Sequence, residues 1–135
     1  MAPRRDPELI LLQAVVAIAC LVPLGAGLAG ILQGPAMIPG VEAVPVSLDS
    51  HYRYMSGIFL GVGLLFAWTV PGIERKGAAF RLGTALVVLG GLARLLSLEL
   101  EGPPGTPHLL GLGMELVVVP SLALWQARVA RRHGQ

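Results

Sequence analysis

The chain has 135 residues, 54% of them hydrophobic and only 13% charged, with a net charge of +2 and a mean hydropathy of +0.72. That balance lies far from the composition of soluble globular domains, and the length allows one domain. The basic residues stand at the ends of apolar segments and form no basic stripe with interleaved aromatics, which excludes nucleic acid as a partner.

Arg4 and Arg5 open the chain ahead of the first apolar run. Positions 17–20, Ala-Ile-Ala-Cys, are similar to a signal-peptide cleavage site or lipoprotein box. The apolar run continues past them through Leu21, Val22 and Leu24 to Ile31 and Leu32. It holds 24 uncharged residues from Leu9, enough to cross a hydrocarbon core of about 30 Å, so a retained membrane helix over 9–32 is expected. Cys20 is the only cysteine, which excludes an intrachain disulfide and a multi-cysteine metal site. It reads as a small buried hydrophobe. Pro23 removes a backbone donor within this span and predicts a bend.

The link 33–49 carries Pro35, Pro39 and Pro45 among Met37, Ile38, Val41, Val44 and Val46. It reads either as a loop lying on the bundle top or headgroup layer, or as a plain spacer. A second span is predicted at 50–70, with Asp49 and Ser50 as N-caps and Pro71-Gly72 as its end. A third covers 78–98, and the run Gly102-Pro103-Pro104-Gly105 separates it from a fourth at 108–126, which contains Pro120. Each span approaches the roughly 20 residues a crossing helix needs. Their apolar character is continuous rather than one-sided, as expected where lipid or protein surrounds a helix. The expected fold is all-α, a four-helix transmembrane bundle forming a single membrane domain over 1–135.

Orientation follows from the basic residues. Arg4 and Arg5, then Arg75, Lys76 and Arg81, then Arg128, Arg131 and Arg132 all flank one end of the spans. The other two links lack Lys and Arg and carry Glu42, Asp49, Glu99 and Glu101. The positive-inside rule predicts cytoplasmic termini and acidic links outside. Trp68 and Trp125 lie near the inner ends of their spans, as in an aromatic belt.

Three charges interrupt the apolar spans: Arg53, Arg94 and Glu115. A charge in hydrocarbon is costly unless it meets a partner or a wet cavity, so each is a candidate functional residue. Helical rise places Arg94 about 7–8 Å below Glu99 and Glu115 about 10 Å below His108, both in the outer half. An Arg94–Glu115 pair is natural between antiparallel neighbours, with Arg53 joining it or pairing with Asp49 or Glu99. The candidate polar cluster is Arg53, Arg94 and Glu115, with His51, Tyr52, Asp49, Ser97, Glu99 and His108 around them. Two readings stay open. The cluster walls an outward pocket whose guanidiniums hold an anionic headgroup or a quinone-like carbonyl. Alternatively, it is a buried ionic lock that fixes register, with Arg53 snorkelling to the interface. The two outer histidines lack a third ligand and make no metal site.

Gly57 and Gly61 form a Gly-x-x-x-Gly pair, and Gly90 and Gly91 adjoin in the third span; such residues predict close helix packing, within one chain or in a homodimer. No phosphate loop, nucleophile elbow or metal-binding His pair is present, and no inverted repeat of a secondary transporter is visible.

The stretch 48–57, Leu-Asp-Ser-His-Tyr-Arg-Tyr-Met-Ser-Gly, running on to Leu65-Phe66-Ala67-Trp68, resembles the signature of a family of small bacterial membrane proteins. So do Gly90-Gly91-Leu92-Ala93-Arg94-Leu95-Leu96-Ser97, Glu101-Gly102-Pro103-Pro104, and Met114-Glu115-Leu116 followed by Pro120 and Trp125. That family is a domain of unknown function, and the resemblance covers nearly the whole chain. It implies a four-span bundle with Arg53, Arg94 and Glu115 inside the pattern, and it carries no activity or cofactor. Nine Arg against one Lys is compatible with a GC-rich bacterial genome, and the bacterial cytoplasmic (inner) membrane is the expected location.

The expected function is that of a non-enzymatic accessory or assembly subunit, or of a lipid-binding bundle. Membrane lipid and other membrane subunits are the partners considered. The alternative is a membrane enzyme or redox-complex subunit that binds a quinone or lipid at the polar cluster. A proton-coupled carrier using Glu115 ranks behind both.

Overall fold

In a computed structural model, described here for residues 6–135, the chain forms four helices. They are α1 (Pro7–Gln33), α2 (Val46–Thr69), α3 (Gly77–Glu101) and α4 (Thr106–Arg132). No strand occurs among the described residues. Arg4 and Arg5 lie outside them. Three helices are long and apolar enough to cross a membrane: α1 with its 3₁₀ extension to Met37, α3 and α4. Helix α2 has 24 residues, but its first two turns carry Asp49, His51 and Arg53.

Local chemistry sets the ends. Asp6 caps α1 by accepting the Glu8 N–H at 2.9 Å. Gly34, at φ +63°, and Gly102, at φ +91°, end α1 and α3 in the left-handed region that glycine enters without strain. Helix α2 starts four residues before the sequence-based boundary, which corrects the reading of Asp49 and Ser50 as caps. Pro45 takes the cap position, and its carbonyl accepts the N–H groups of Leu48 at 2.9 Å and Asp49 at 3.0 Å. Asp49 is therefore already helical and its carboxylate is free for another partner. Helix α4 runs past Gln126 to Arg132, because its last turns are amphipathic: Leu122, Gln126 and Val129 are buried while Arg131 and Arg132 are exposed. Pro23 sits inside α1 without interrupting the helix.

The helices pack as two pairs. Helix α1 lies on α2, and α3 lies on α4; α2 also touches α3, and the last turns of α4 touch α1. The first turns of α4, with the wide turn that follows, meet only α3. At Gly27 the α1 and α2 backbones nearly touch, since a Cβ there would stand 2.7 Å from the Leu60 nitrogen.

The buried side chains gather at the end that carries the basic residues. Leu12 and Val16 of α1, Phe66 of α2, Ile73, Phe80 of α3, and Leu122 and Val129 of α4 form the core. Phe66 and Phe80 meet edge-to-face with centroids 5.0 Å apart. Elsewhere Ile18, Leu21, Leu28, Leu89, Leu110, Val117 and Leu124 point outward. A water-facing surface rarely carries so much contiguous apolar area, whereas a lipid-facing one does.

Candidate functional site

At the acidic end, the approach of α3 and α4 is set by Gly91. A Cβ there would lie 2.7 Å from Leu116 Cδ2 and 2.9 Å from Glu115 Cβ, so only glycine permits this spacing. One turn further along α3 comes Arg94. On α4, Pro120 has no N–H for the Leu116 carbonyl and its ring crowds that turn. The helix widens there into a π turn over Met114–Val118, in which the Val119 N–H bonds the Met114 carbonyl. Glu115 lies on this wide turn.

Arg94 and Glu115 meet as a two-pronged ion pair. Arg94 Nε donates to Oε2 and Nη2 to Oε1, both at 2.9 Å. Glu115 is 8% exposed, whereas a third of the Arg94 side chain is open. Gly111 leaves room above the pair, its notional Cβ falling 3.8 Å from Arg94 Cζ and 3.9 Å from Glu115 Oε1. Both carboxylate oxygens are engaged, while Arg94 Nη1 donates to no described residue.

Arg53 is bound separately. Its Nε donates to Asp49 Oδ2 at 2.8 Å and its Nη2 to Oδ1 at 3.2 Å, one helical turn apart. Its Nη1 donates to the carbonyls of Ile31 and of Leu32, the latter at 3.2 Å. Those carbonyls are orphaned by the end of α1, and a cation there also suits the helix dipole. Gly34 is required twice over, by its positive φ and because a Cβ would stand 2.6 Å from Asp49 Oδ1 and 2.8 Å from Arg53 Nη2.

The sequence-derived set thus divides into two pairs, one within each helix pair. Of the partners considered for Arg53, Asp49 is the one engaged. His51 lies against Tyr54 with ring centroids 6.5 Å apart. Ser97 and Glu99 are exposed and His108 is half-buried; no hydrogen bond or ion pair among the described residues ties these four to either pair. Gly57, Gly61 and Gly90 have nothing within 4 Å of a notional Cβ, in contrast to Gly91. The described residues hold no group of three His, Cys, Asp or Glu side chains able to bind a metal.

Sequence reasoning passed over the polar contacts of the basic end. Glu8 accepts from Trp125 Nε1 at 3.1 Å and from Arg132, with Arg128 Nε at 3.6 Å, and so fastens the end of α4 to the start of α1. Gln13 donates to the Val70 carbonyl at 2.9 Å, and Gln126, fully buried, to the Ile73 carbonyl at 2.8 Å. Both satisfy the turn between α2 and α3. Their only signal in the sequence is an uncharged amide inside an apolar run.

A family described as a domain of unknown function (DUF4345) matches residues 11–126. The chain belongs to that family. Comparison with curated proteins and with solved structures gives no match. The matched region contains both ion pairs, Gly34, Gly91, Gln13 and Gln126. Glu8 and its charged partners Arg128 and Arg132 fall outside it, whereas Trp125, which also donates to Glu8, falls inside.

Proposed function

We propose that this chain is a non-enzymatic four-span protein of the bacterial cytoplasmic membrane, acting as an accessory or assembly subunit or as a lipid-binding bundle. Three helices of sufficient length and apolarity support the membrane assignment. The pairing of Arg53 with Asp49 and with the α1 carbonyls supports counting α2 as the fourth span, because its charges near the acidic end are neutralised or directed at backbone. The placement of the basic residues supports an orientation with the termini inside.

One observation carries the non-enzymatic reading. Both oxygens of Glu115 are held by Arg94, so the deepest carboxylate is not free to act as a base, nucleophile or proton carrier. A closed pair of this kind fixes how α3 and α4 meet more than it adds stability. The second reading, a pocket for a quinone or lipid carbonyl, rests on Arg94 Nη1, which has no described partner, and on the third of the Arg94 side chain that is open.

Two measurements test this. An impermeant maleimide applied to intact cells should label Thr106→Cys and spare Ala78→Cys; the reverse pattern overturns the orientation. Native purification in mild detergent should yield a stoichiometric membrane subunit or a phospholipid by mass spectrometry. A quinone that co-purifies with the wild type and is lost in Arg94→Ala would replace the first reading by the second.

A further inference from the structure

The basic end contains a second polar feature, unrelated to the Arg94–Glu115 pair. A cavity of about 330 Å³ opens between the α2–α3 turn and the last turns of α4, lined by Glu74, Arg75, Gly77, Arg81 and Arg131 among others. The guanidiniums of Arg75, Arg81 and Arg131 donate no hydrogen bond to any described residue, although Arg75 Nε stands 3.4 Å from Glu74 Oε1. Their neighbours on α4, Arg128 and Arg132, turn the other way to Glu8. The cavity thus gathers three under-used guanidiniums, a geometry that suits a phosphate.

One acceptor completes it, the Glu74 carboxylate, which lines the cavity. Glu74 Oε2 and Gln126 Oε1 are buried with no hydrogen-bond partner among the described residues. Gln126 is 0% exposed, and its amide lies under Gly77: a Cβ on Gly77 would fall 3.2 Å from Nε2, 3.4 Å from Oε1 and 3.0 Å from Arg81 Nη1. Gln126 is sealed beneath the cavity floor, so a ligand carrying N–H or O–H groups would meet the carboxylate of Glu74. A third feature points to lipid. Ala78 lines the cavity, and Leu82, Leu86 and Leu89 follow it along one face of α3, all three exposed. An acyl chain leaving the cavity towards the membrane centre would lie on that stripe.

We propose that this cavity binds the headgroup of a membrane phospholipid whose headgroup alcohol carries hydrogen-bond donors, as in phosphatidylethanolamine or phosphatidylglycerol. The phosphate sits among Arg75, Arg81 and Arg131. The ammonium or hydroxyl groups reach the Glu74 carboxylate. Phosphatidylcholine, whose trimethylammonium offers no N–H, is discriminated against. The site rests on the membrane-spanning reading above, since it places the cavity at the level of the inner headgroups.

The test uses delipidated full-length protein in detergent and native mass spectrometry with dioleoyl lipids. Wild type should retain phosphatidylethanolamine and phosphatidylglycerol about tenfold better than phosphatidylcholine, the ratio expected from one recovered hydrogen bond of ordinary strength. Arg81→Gln/Arg131→Gln should erase that preference while leaving phosphatidylcholine retention unchanged. Equal retention of the three lipids by the wild type overturns the proposal without requiring any variant to fold. Displacement of lipid by glycerophosphoethanolamine at equal concentration would show that the acyl stripe contributes nothing and overturns the lipid source in favour of a soluble phosphate ester. Flotation with pure phosphatidylcholine vesicles separates the two readings. Protein that fails to float refutes the membrane spans, whereas protein that floats without headgroup preference refutes only this site.

Discussion

The two ends of the molecule are held by different means. At the basic end all four helices contribute to one packed core around Leu12, Phe66, Phe80 and Val129, and polar contacts from α4 cross between the helix pairs: Trp125 and Arg132 to Glu8, and Gln126 to Ile73. At the acidic end the polar contacts stay inside each pair, Arg53 with α1 and Arg94 with α4. Few apolar side chains are buried there, and the first turns of α4 bury none. One end is therefore a joint between pairs and the other a set of locks within them. Separating the pairs at the acidic end breaks neither ion pair there, whereas separating them at the basic end breaks several hydrogen bonds and the core.

The largest expected effect lies in the lock between α3 and α4. Arg94→Leu leaves a nearly buried carboxylate without its partner, which costs about 3 kcal/mol, less than for a fully buried pair because part of Arg94 is open. Thermal unfolding in detergent should show that loss, and Arg94→Leu/Glu115→Leu should recover most of it. A double variant no better than the single would mean that the pair does more than hold two helices together. Next comes the joint. Phe80→Ala removes the ring that meets Phe66 edge-to-face. Lipid is as apolar as this core, so the loss is one of packing rather than of hydrophobic transfer, about 2 kcal/mol in the same measurement. An effect well below 1 kcal/mol would contradict the description of the basic end as the packed one.

How far these two ends could be read from the sequence differs for a physical reason. Charges inside apolar runs are conspicuous because hydrocarbon penalises them, so Arg53, Arg94 and Glu115 stood out, as did the antiparallel neighbourhood that joins the last two. The widened turn at Met114–Val118 did not: Pro120 announced a perturbation of the helix but not that it would take the form of a π turn. The start of α2 at Val46 was hidden because Pro45 leaves Val46 to Asp49 reading as the tail of the proline-containing link. Glu8 escaped notice for another reason. It stands 117 positions from Trp125 in sequence, and only the folded arrangement brings the two together. Gln13 and Gln126 carry no charge, so they barely disturb an apolar run even though each satisfies a carbonyl of the turn between α2 and α3.

The clasp at Glu8 is partly open to solvent, which limits its strength. Glu8→Gln keeps an acceptor for Trp125 but removes the charge facing Arg128 and Arg132, at a cost of about 1 kcal/mol that fades in high salt. Spin labels at the start of α1 and the end of α4 should report a broader distance distribution in this variant, and labels at the acidic end should report no change. Broadening at the acidic end instead would show that the two ends are mechanically coupled and dissolve the distinction between joint and locks.

The smallest effect is expected at the open glycines, and it sharpens the comparison from outside the chain. Gly57 and Gly61 meet nothing within 4 Å, whereas at Gly91 the facing helix leaves no room for a methyl group. Gly57→Ala/Gly61→Ala should therefore leave the melting temperature unchanged or raise it slightly, since alanine favours helix by about 0.5–1 kcal/mol per site where nothing clashes. Cross-linking in detergent and in vesicles should be equally unaffected if the chain is held together only by the contacts within it. If the wild type forms dimers and the variant does not, the open face of α2 belongs to a second copy. The acidic end would then owe part of its support to a neighbour, which the helix pairs of one chain do not supply.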